Sequence, residues 1–197
     1  MRVRESGMMA PETWENLFDT QKIFATLKLN HRVENVVELG CGYGTFTIPA
    51  AQIISGKITA LDSNPQMIQL TAKRAKLQKC DNVTTIQKDF ITTGSGEKNR
   101  SMDYVMIFNV LDSVNQNNLL IEAKRVLKKW GRVALLQWQC DPDTPGGPDL
   151  TIRPAPEQCI EWARQVGLKL LERQDFQPYH YGLLFEKGDT FDKGVTH

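Results

Sequence analysis

A glycine-rich turn between a predicted strand and a predicted helix constrains this 197-residue chain more than any other feature. Three glycines alternate with other residues after an apolar run, in the sequence Gly40-Cys41-Gly42-Tyr43-Gly44. Glycine has no Cβ and adopts a positive φ without steric cost, so such a turn presents bare backbone N–H groups to a ligand at the start of a helix. An acidic residue, Asp62, ends the next apolar run. Together these features predict a site for a nucleotide-type ligand.

Predicted strands and helices alternate from Glu34 onward, which indicates a mostly parallel sheet covered by helices on both faces. The predicted strands are Asn35–Leu39, Lys57–Asp62, Val83–Gln87, Met102–Asn109, Arg132–Trp138, Lys169–Asp175 and Tyr181–Glu186. The last two are separated by too few residues for a crossover helix, so we expect them to pair antiparallel. The predicted fold class is α/β, a Rossmann-like three-layer sandwich with a mostly parallel seven-stranded sheet and an antiparallel C-terminal hairpin.

Helix signals punctuate the connections between these strands. Ser63 and Asn64 are both candidate caps of a helix that has Pro65 in its first turn, and Asn115 is predicted to cap a second helix. Pro156 is predicted to lie in the first turn of another. Ahead of the first strand, Pro11–Leu29 is predicted to form one helix, or two short helices broken near Asp19.

Two connections lack a periodic pattern. The polar segment Gly94–Arg100 is predicted to be mobile. The segment Gln139–Pro154 is rich in proline and glycine and follows the fifth strand at its carboxyl end, the side on which open α/β sheets bind ligands. We therefore expect it to serve as a lid or a binding loop.

The composition argues against several classes of partner. Lys and Arg number 24 and Asp and Glu 23, so no net field attracts nucleic acid or an anionic membrane. No apolar run approaches the roughly 18 residues of a membrane span, and the N-terminus lacks the apolar region of a signal peptide. The four cysteines are scattered and do not have the spacing of metal ligands, which predicts no bound metal; they are Cys41, Cys80, Cys140 and Cys159. Because the sequence shows no export signal, we also expect free thiols and a cytoplasmic location.

The segment from Glu38 to Trp138 closely resembles the class I S-adenosylmethionine-dependent methyltransferases. Besides the glycine turn, the resemblance rests on Asp62 after the second strand, Asp89-Phe90 after the third, Asp103–Asn109 in the fourth and Leu127–Arg132 before the fifth. The predicted C-terminal hairpin extends the resemblance to most of the chain. One departure is Trp130, where the family more often has a glycine or proline turn.

The resemblance implies S-adenosylmethionine as the cofactor and a set of residues that bind it. The glycine turn would hold the methionine part, Asp62 would accept hydrogen bonds from the ribose hydroxyls, and Asp89 would bind the adenine amine beside Phe90. Glu38 would orient the turn or the cofactor amine, and Asn109 would face the methionine end. The complete cofactor-binding set is Glu38, Gly40, Cys41, Gly42, Tyr43, Gly44, Asp62, Ser63, Met67, Asp89, Phe90 and Asn109.

Structural roles remain alternatives for several of these residues. Glu38 can be purely structural, and Met67 can be an ordinary core residue rather than a support for the adenosine. Asp89 and Phe90 can be a loop acid and a core aromatic, and Asn109 can simply end its strand.

The acceptor site is predicted from aromatic residues near the same end of the sheet. Trp14, Tyr43, Trp138 and Tyr181 are expected to wall it, although Trp14 can equally pack its helix on the sheet. His180 is the candidate general base; the alternative is an exposed turn histidine without a catalytic role.

The predicted function is transfer of a methyl group from S-adenosylmethionine to a small-molecule acceptor by in-line displacement. The alternatives are a nicotinamide-dependent oxidoreductase and a non-catalytic cofactor-binding protein of the same fold. Thr45 in place of the last glycine of a dinucleotide motif argues against the oxidoreductase. We expect a monomer or homodimer with no nucleic-acid or membrane partner. The predicted organisation is an N-terminal helical segment over 1–33, a candidate cofactor lid; a methyltransferase domain over 34–188; and a tail over 189–197.

Overall fold

Seven strands form one mixed sheet in the order β3-β2-β1-β4-β5-β7-β6. The computed structural model, which describes residues 9–188, gives these strands as β1 (Asn35–Leu39), β2 (Lys57–Asp62), β3 (Val83–Gln87), β4 (Met102–Phe108), β5 (Leu127–Trp138), β6 (Leu168–Phe176) and β7 (His180–Lys187). Neighbouring strands among β1 to β5 pair parallel, whereas β7 pairs antiparallel with both β5 and β6. The predicted α/β fold with its antiparallel C-terminal hairpin is confirmed. The predicted tail over 189–197 lies outside the described residues.

Helices connect the strands and precede the first of them. They are α1 (Pro11–Glu15), α2 (Thr20–Thr26), α3 (Thr47–Ile53), α4 (Pro65–Leu77), α5 (Phe90–Thr93), α6 (Gln116–Val126) and α7 (Pro156–Gln165), with a 3-10 turn at Leu150–Ile152. The N-terminal pattern forms two helices because Asp19 caps α2, its carboxylate accepting an N–H of the first turn at 3.0 Å. Asn64 caps α4 as predicted, accepting the N–H of Gln66 at 2.9 Å.

Asn115 precedes α6, but its side chain does not cap the helix. Its amide oxygen accepts the N–H of Asp112 at 3.0 Å, and its amide nitrogen donates to the carbonyl of Val110 at 3.1 Å. The predicted side-chain cap is therefore wrong. Both polar groups of the Asn115 amide form hydrogen bonds within the loop that precedes α6 instead.

Helices bury both faces of the sheet. Adjacent strand residues such as Val36 and Val37 point to opposite faces, so each face collects its own apolar cluster. The cluster that includes Val37 packs under α6 and α7, and the cluster that includes Val36 packs under α2 and α3. None of the described helices has the length and apolarity needed to cross a membrane.

The segment Gly94–Arg100 is held in place, contrary to the expectation of a mobile loop. Ser95 is buried, and its N–H and hydroxyl donate to one carboxylate oxygen of Glu122 at 2.6 and 2.5 Å. Arg125 donates to the carbonyl of Glu97 at 2.7 Å. The polar residues of this loop thus form a network with the end of α6.

Strand β5 begins at Leu127, five residues earlier than the Arg132 predicted from the sequence. The register with β4 shifts between Met102 and Tyr104, which accommodates the extra residues. Trp130 lies in this irregular part with a φ of 64°, the left-handed conformation that glycine adopts at least cost. A glycine, one of the two residues that the resemblance implies here, would adopt this conformation without strain.

Candidate active site

Strands β1 to β5 end at one edge of the sheet, with Leu39, Asp62, Gln87, Phe108 and Trp138; we call this the carboxyl edge. The glycine turn lies there, because it follows β1 directly. The N–H groups of Gly40 and Cys41 both donate to the carbonyl of Leu61 at 2.9 Å, which binds the turn to the end of β2. A Cβ on Gly40 would lie 2.4 Å from a methyl carbon of Val110, and its φ is 91°. The position therefore requires glycine.

Asp62 joins the glycine turn to the start of α4. One carboxylate oxygen accepts the N–H of Gly42 and the other accepts the N–H of Asn64, both at 2.9 Å. Burial raises the pKa of Asp62, and the backbone hydrogen bonds oppose that rise. Each carboxylate oxygen can accept a further hydrogen bond, so the group retains capacity for a ligand's hydroxyls.

Glu38 lies at the bottom of the turn and is 1% exposed. One of its oxygens accepts the hydroxyl of Thr47 at 2.5 Å, and the other has no hydrogen-bond partner. Burial, with a smaller contribution from the charge of Asp62, raises the pKa of Glu38 to about 8, although the Thr47 hydrogen bond lowers it. A buried acid with a vacant acceptor is costly unless a ligand completes it.

Asn109 follows β4 directly and adopts a φ of 57°. Its N–H donates to the carbonyl of Leu136 at 2.7 Å, which keeps the backbone in the sheet, while both polar atoms of its amide are buried without partners. A left-handed backbone and an unused buried amide are both features that favour a ligand contact at this position.

The buried polar side-chain atoms without partners all lie at the carboxyl edge or in the segments that adjoin it. Within residues 9–188 they belong to Glu38, Thr45, Asn109, Gln116, Gln137 and His180. Glu38 and Gln137 lie one residue before the ends of β1 and β5, and His180, the first residue of β7, pairs with Trp138. Unpaired buried polar atoms cost about 1–3 kcal/mol each, so their concentration at one edge indicates a ligand site.

The predicted adenine contacts lie farther along the same edge. Asp89 caps the short helix α5, accepting the N–H of Thr92 at 3.3 Å. Phe90 is buried, and its ring comes within 3.6 Å of where a Cβ on Gly40 would lie. Ser63 is exposed and Met67 is half-buried.

The N-terminal segment packs over the carboxyl edge. The ring of Trp14 lies 6.0 Å from that of Trp138, and Phe18 lies 4.6 Å from His180. The Tyr43 hydroxyl donates to the carbonyl of Met9 at 3.0 Å. The structure therefore brings Trp14, Tyr43 and Trp138 to one region, as the sequence predicts.

A charged side chain fastens the same segment. Arg74 of α4 donates to the carbonyl of Tyr43 at 2.6 Å and forms an ion pair with Glu15 of α1. Neither Arg74 nor Glu15 was a candidate from the sequence, where Arg74 belongs to an ordinary run of basic residues on a helix.

His180 and Tyr181 point to opposite faces of β7. His180 is 2% exposed, with its ring 4.3 Å from Trp138; burial and the charge of Arg153 lower its pKa to about 3. It is not the exposed turn histidine of the alternative prediction. Tyr181 is fully buried, and its hydroxyl donates to the carbonyl of Pro154 at 2.6 Å and lies 3.4 Å from the Cys159 sulfur. The structure therefore does not bring Tyr181 together with Trp14 and Trp138.

The loop Gln139–Pro154 folds back over the end of β5. Arg153 donates to the carbonyls of Gln139, Gly146 and Pro148 and to the hydroxyl of Thr144. Its guanidinium lies 5.5 Å from the centre of the Trp138 ring. Arg153 thus organises this loop through its own hydrogen bonds.

Several residues of the site escaped the sequence prediction, among them Thr47, Gln116 and Gln137. A polar residue one position before the end of an otherwise apolar strand was the signal available for Gln137. The four cysteines are free, as predicted. Within residues 9–188, no group of side chains has the makeup of a metal site.

A family model described as a methyltransferase domain matches residues 30–167. The chain belongs to this family. A class I S-adenosylmethionine-dependent methyltransferase domain is thereby confirmed as the family, and S-adenosylmethionine as the predicted cofactor. Among curated proteins, none matches the chain significantly.

Solved structures show the same fold at low sequence identity. The methyltransferase fold of this chain is similar to that of a SAM-dependent methyltransferase from Aquifex aeolicus, with a TM-score of 0.77, 18% identity, and coverage of 90% of this chain and 93% of the other. The N-methyltransferase NodS from Bradyrhizobium japonicum, solved with S-adenosyl-L-homocysteine, has a TM-score of 0.68 at 18% identity. The match covers 90% of this chain and 88% of NodS. The [4+2]-cyclase SpnF has a TM-score of 0.73 at 16% identity, and the match covers 94% of this chain and 85% of SpnF. At these identities the likeness establishes the fold alone.

The residues at the carboxyl edge fit S-adenosylmethionine. Asp62 has acceptor capacity to spare, and Glu38 and Asn109 offer partnerless polar atoms. The carboxylate of Asp62 suits ribose hydroxyls, the free oxygen of Glu38 suits an ammonium, and the amide of Asn109 suits a carboxylate or an ammonium.

Proposed function

We propose that this methyltransferase transfers a methyl group from S-adenosylmethionine to a small-molecule acceptor by in-line displacement. The observation that carries the proposal is the group of buried polar atoms without partners at the carboxyl edge, beside a turn whose glycine is required by close packing. The near-zero net charge of the chain favours a small acceptor over a nucleic acid.

Each part of the cofactor has a candidate partner. Asp62 would accept the ribose hydroxyls while its bonds to Gly42 and Asn64 keep the carboxylate in place. The free oxygen of Glu38 would accept the cofactor's ammonium, and the amide of Asn109 would bind its carboxylate or ammonium. Asp89 and Phe90 would lie at the adenine, with Ser63 and Met67 beside the adenosine.

S-adenosylmethionine, when bound, supplies a methyl group that its sulfonium already activates. The residues of the chain therefore have to position the acceptor and exclude water rather than activate the methyl group. His180 is neutral and presents a free Nε2, which suits it to accept a hydrogen bond from an acceptor O–H or N–H. Its low pKa makes it a weak base, so it would orient the acceptor more than deprotonate it.

The N-terminal segment would act as the cover of this site. Phe18 lies over His180, Trp14 lies against Trp138, and Arg74 and Tyr43 fasten the segment to the glycine turn. We expect hydrogen exchange in α1 and α2 to slow when S-adenosylhomocysteine binds; unchanged exchange would remove the cover from the proposal. The cytoplasmic location and the monomeric or homodimeric state stay predictions.

The central test is calorimetric titration with S-adenosylhomocysteine, comparing the wild type with Asp62→Asn. Loss of charge-assisted hydrogen bonds to the ribose should weaken binding by about 1–3 kcal/mol, which corresponds to roughly 5-fold to 150-fold in Kd. Asp81→Asn, an exposed acid just beyond α4, is the matched control and should bind like the wild type.

Two outcomes contradict the proposal. Equal affinity for the wild type and a folded Asp62→Asn variant removes the ribose assignment. Binding of NADH or NADPH in place of S-adenosylhomocysteine removes the methyltransferase activity and favours an oxidoreductase.

A further inference from the structure

Two glutamine side chains at the carboxyl edge have buried polar atoms that no protein group satisfies. Gln137 is 3% exposed, and its amide nitrogen has no partner. The amide oxygen of Gln116 is likewise buried and without a partner. Neither residue belongs to the cofactor contacts described above.

The fold places both amides in the same layer. Gln137 follows Leu135 by two residues along β5, so its side chain points to the face of the sheet that α6 and α7 cover. Gln116 precedes the buried Leu119 and Leu120 of α6 by three and four residues, which puts it on the sheet-facing side of the helix. Because α6 follows β4, its first turn lies at the carboxyl edge. Both amides therefore lie at the top of the layer between α6 and β5.

The surroundings of these amides are held rigidly. The loop between β4 and α6 is closed by Asp112, whose carboxylate accepts the N–H groups of Val114 and Asn115 at 2.8 and 2.9 Å. Asn115 in turn bonds the carbonyl of Val110. On the other side, Tyr181 pairs with Gln137 in the sheet and bonds the carbonyl of Pro154. These neighbouring groups bond to one another, and the amide oxygen of Gln116 and the amide nitrogen of Gln137 stay without partners.

The charged groups at the carboxyl edge are engaged or neutral. The guanidinium of Arg153 donates hydrogen bonds to four oxygens of its own loop. The carboxylates of Asp62 and Asp112 accept backbone N–H groups. Burial raises the pKa of Glu38 to about 8 and lowers that of His180 to about 3, so both are mainly uncharged at neutral pH. The two amides themselves carry no charge, so a charged group of a ligand placed between them would lose its hydration without gaining an opposite charge.

We propose that the methyl acceptor lies across the end of β5, where the side-chain amides of Gln116 and Gln137 bind it from the face of the sheet opposite to His180. We propose further that this acceptor is an uncharged molecule that carries both a hydrogen-bond donor and a hydrogen-bond acceptor. An amide, a lactam or a hydroxylated ring has this chemistry. The inference rests on the proposed methyltransferase function and names the substrate class of that site.

The first test needs no knowledge of the acceptor. An amide that waits for a ligand destabilises the free protein, so Gln137→Met and Gln116→Met should each raise the Tm of the ligand-free protein by about 2–4 °C. Gln165→Met is the matched control, because Gln165 is exposed on α7 and bonds Glu161. We expect its Tm to change by less than about 1 °C. A lower Tm for Gln137→Met would mean that the amide has a structural partner, such as a buried water, and would overturn the inference.

The second test separates the acceptor site from the cofactor site. S-adenosylhomocysteine should bind both glutamine variants with the wild-type Kd, within about twofold. Loss of that affinity in the variants alone would assign the amides to the cofactor and overturn the inference. Failure of the wild type to bind S-adenosylhomocysteine would instead refute the proposed function.

The third test addresses the substrate class with protein saturated in S-adenosylhomocysteine. Probe sets that share one ring are titrated while the glutamine side-chain amide resonances are followed by NMR; benzamide, benzoate and benzylamine form one such set. Uncharged members should shift the Gln137 resonance, and Gln137→Met should weaken their binding about tenfold. Stronger binding of the carboxylate or amine members across the sets overturns the proposed class.

Discussion

Two glutamates, Glu38 below the glycine turn and Glu122 on α6, are both buried but differ in the hydrogen-bond partners of their carboxylates. Glu38 is 1% exposed and Glu122 is 8% exposed. Both oxygens of Glu122 are used: one accepts from Ser95 and Arg125, and the other accepts from the Nε of Arg125 at 2.7 Å. One oxygen of Glu38 accepts from Thr47, and the other has no partner.

The electrostatic consequences are opposite. Burial raises the pKa of Glu38 to about 8, because only one hydrogen bond compensates the lost hydration. Burial also opposes ionisation of Glu122, but the hydrogen bonds from Arg125 and Ser95 prevail and lower its pKa to about 2. The completed network of Glu122 is that of a structural carboxylate, and the partnerless oxygen of Glu38 supports the proposed contact with the cofactor. This difference separates the two regions more clearly than residue type or burial does.

The two groups also predict opposite dependences of stability on pH. For Glu38 the folded pKa lies above the ordinary 4.5, so the folded state keeps a proton that the unfolded state loses, and stability falls as pH rises from 4.5 to 8. For Glu122 the folded pKa lies below 4.5, so stability is lost as pH falls from 4.5 to 2.

The largest effect is expected on the structural side. Glu122→Ala leaves the N–H of Ser95 buried without an acceptor and removes the partner of Arg125, so the free energy of unfolding should fall by about 3 kcal/mol in urea titrations at pH 7. Affinity for S-adenosylhomocysteine should hold. The control is Glu161→Ala, which breaks the exposed pair with Arg164 and the hydrogen bond from Gln165 and should leave the free energy of unfolding close to that of the wild type. A similar small cost for Glu122→Ala would erase the distinction between the two carboxylates.

An intermediate effect is expected at Glu38. Between pH 5 and pH 7 the free energy of unfolding of the wild type should fall by about 2 kcal/mol more than that of Glu38→Gln, because the amide does not titrate. Urea unfolding of the ligand-free proteins at the two pH values measures the difference. Parallel pH profiles for the two proteins would falsify the assignment of a raised pKa to Glu38.

The smallest effect is expected for Arg125→Lys. The lysine keeps the charge but loses the paired hydrogen bonds to Glu122, which should cost about 1 kcal/mol because the arginine side chain is 36% exposed and partly screened. Hydrogen exchange of the Gly94–Arg100 segment should speed up. Arg164→Lys, on the exposed pair, is the control; an equal response in the two variants would show that the Glu122 network adds nothing to an ordinary surface pair.

Much of the fold was readable from the chain. Strands β1 to β3 match the predicted strands residue for residue, because runs rich in apolar or β-branched residues between turn residues have clear boundaries. The short connection before β7 was enough to predict the antiparallel hairpin. The glycine turn and Asp62 were predicted together, and the structure places them in direct contact.

Other features needed the packed molecule. The partner of Ser95 is Glu122, 27 residues away, so nothing local predicted that the Gly94–Arg100 segment would be held. His180 and Tyr181 were predicted to share one site, but β7 begins at His180, and neighbours on a strand point to opposite faces.

The sequence alone determined the secondary structure, the glycine turn and the family, because these depend on periodicity and on residue types that act locally. Only the tertiary structure decided which polar atoms find a partner. Hydrogen-bond partners come from segments distant in the chain and depend on distances of a few tenths of an ångström, which no pattern of residue types encodes. For this reason the sequence did not predict the Thr47–Glu38 hydrogen bond or the partnerless atoms of Gln116 and Gln137, which only the tertiary structure shows.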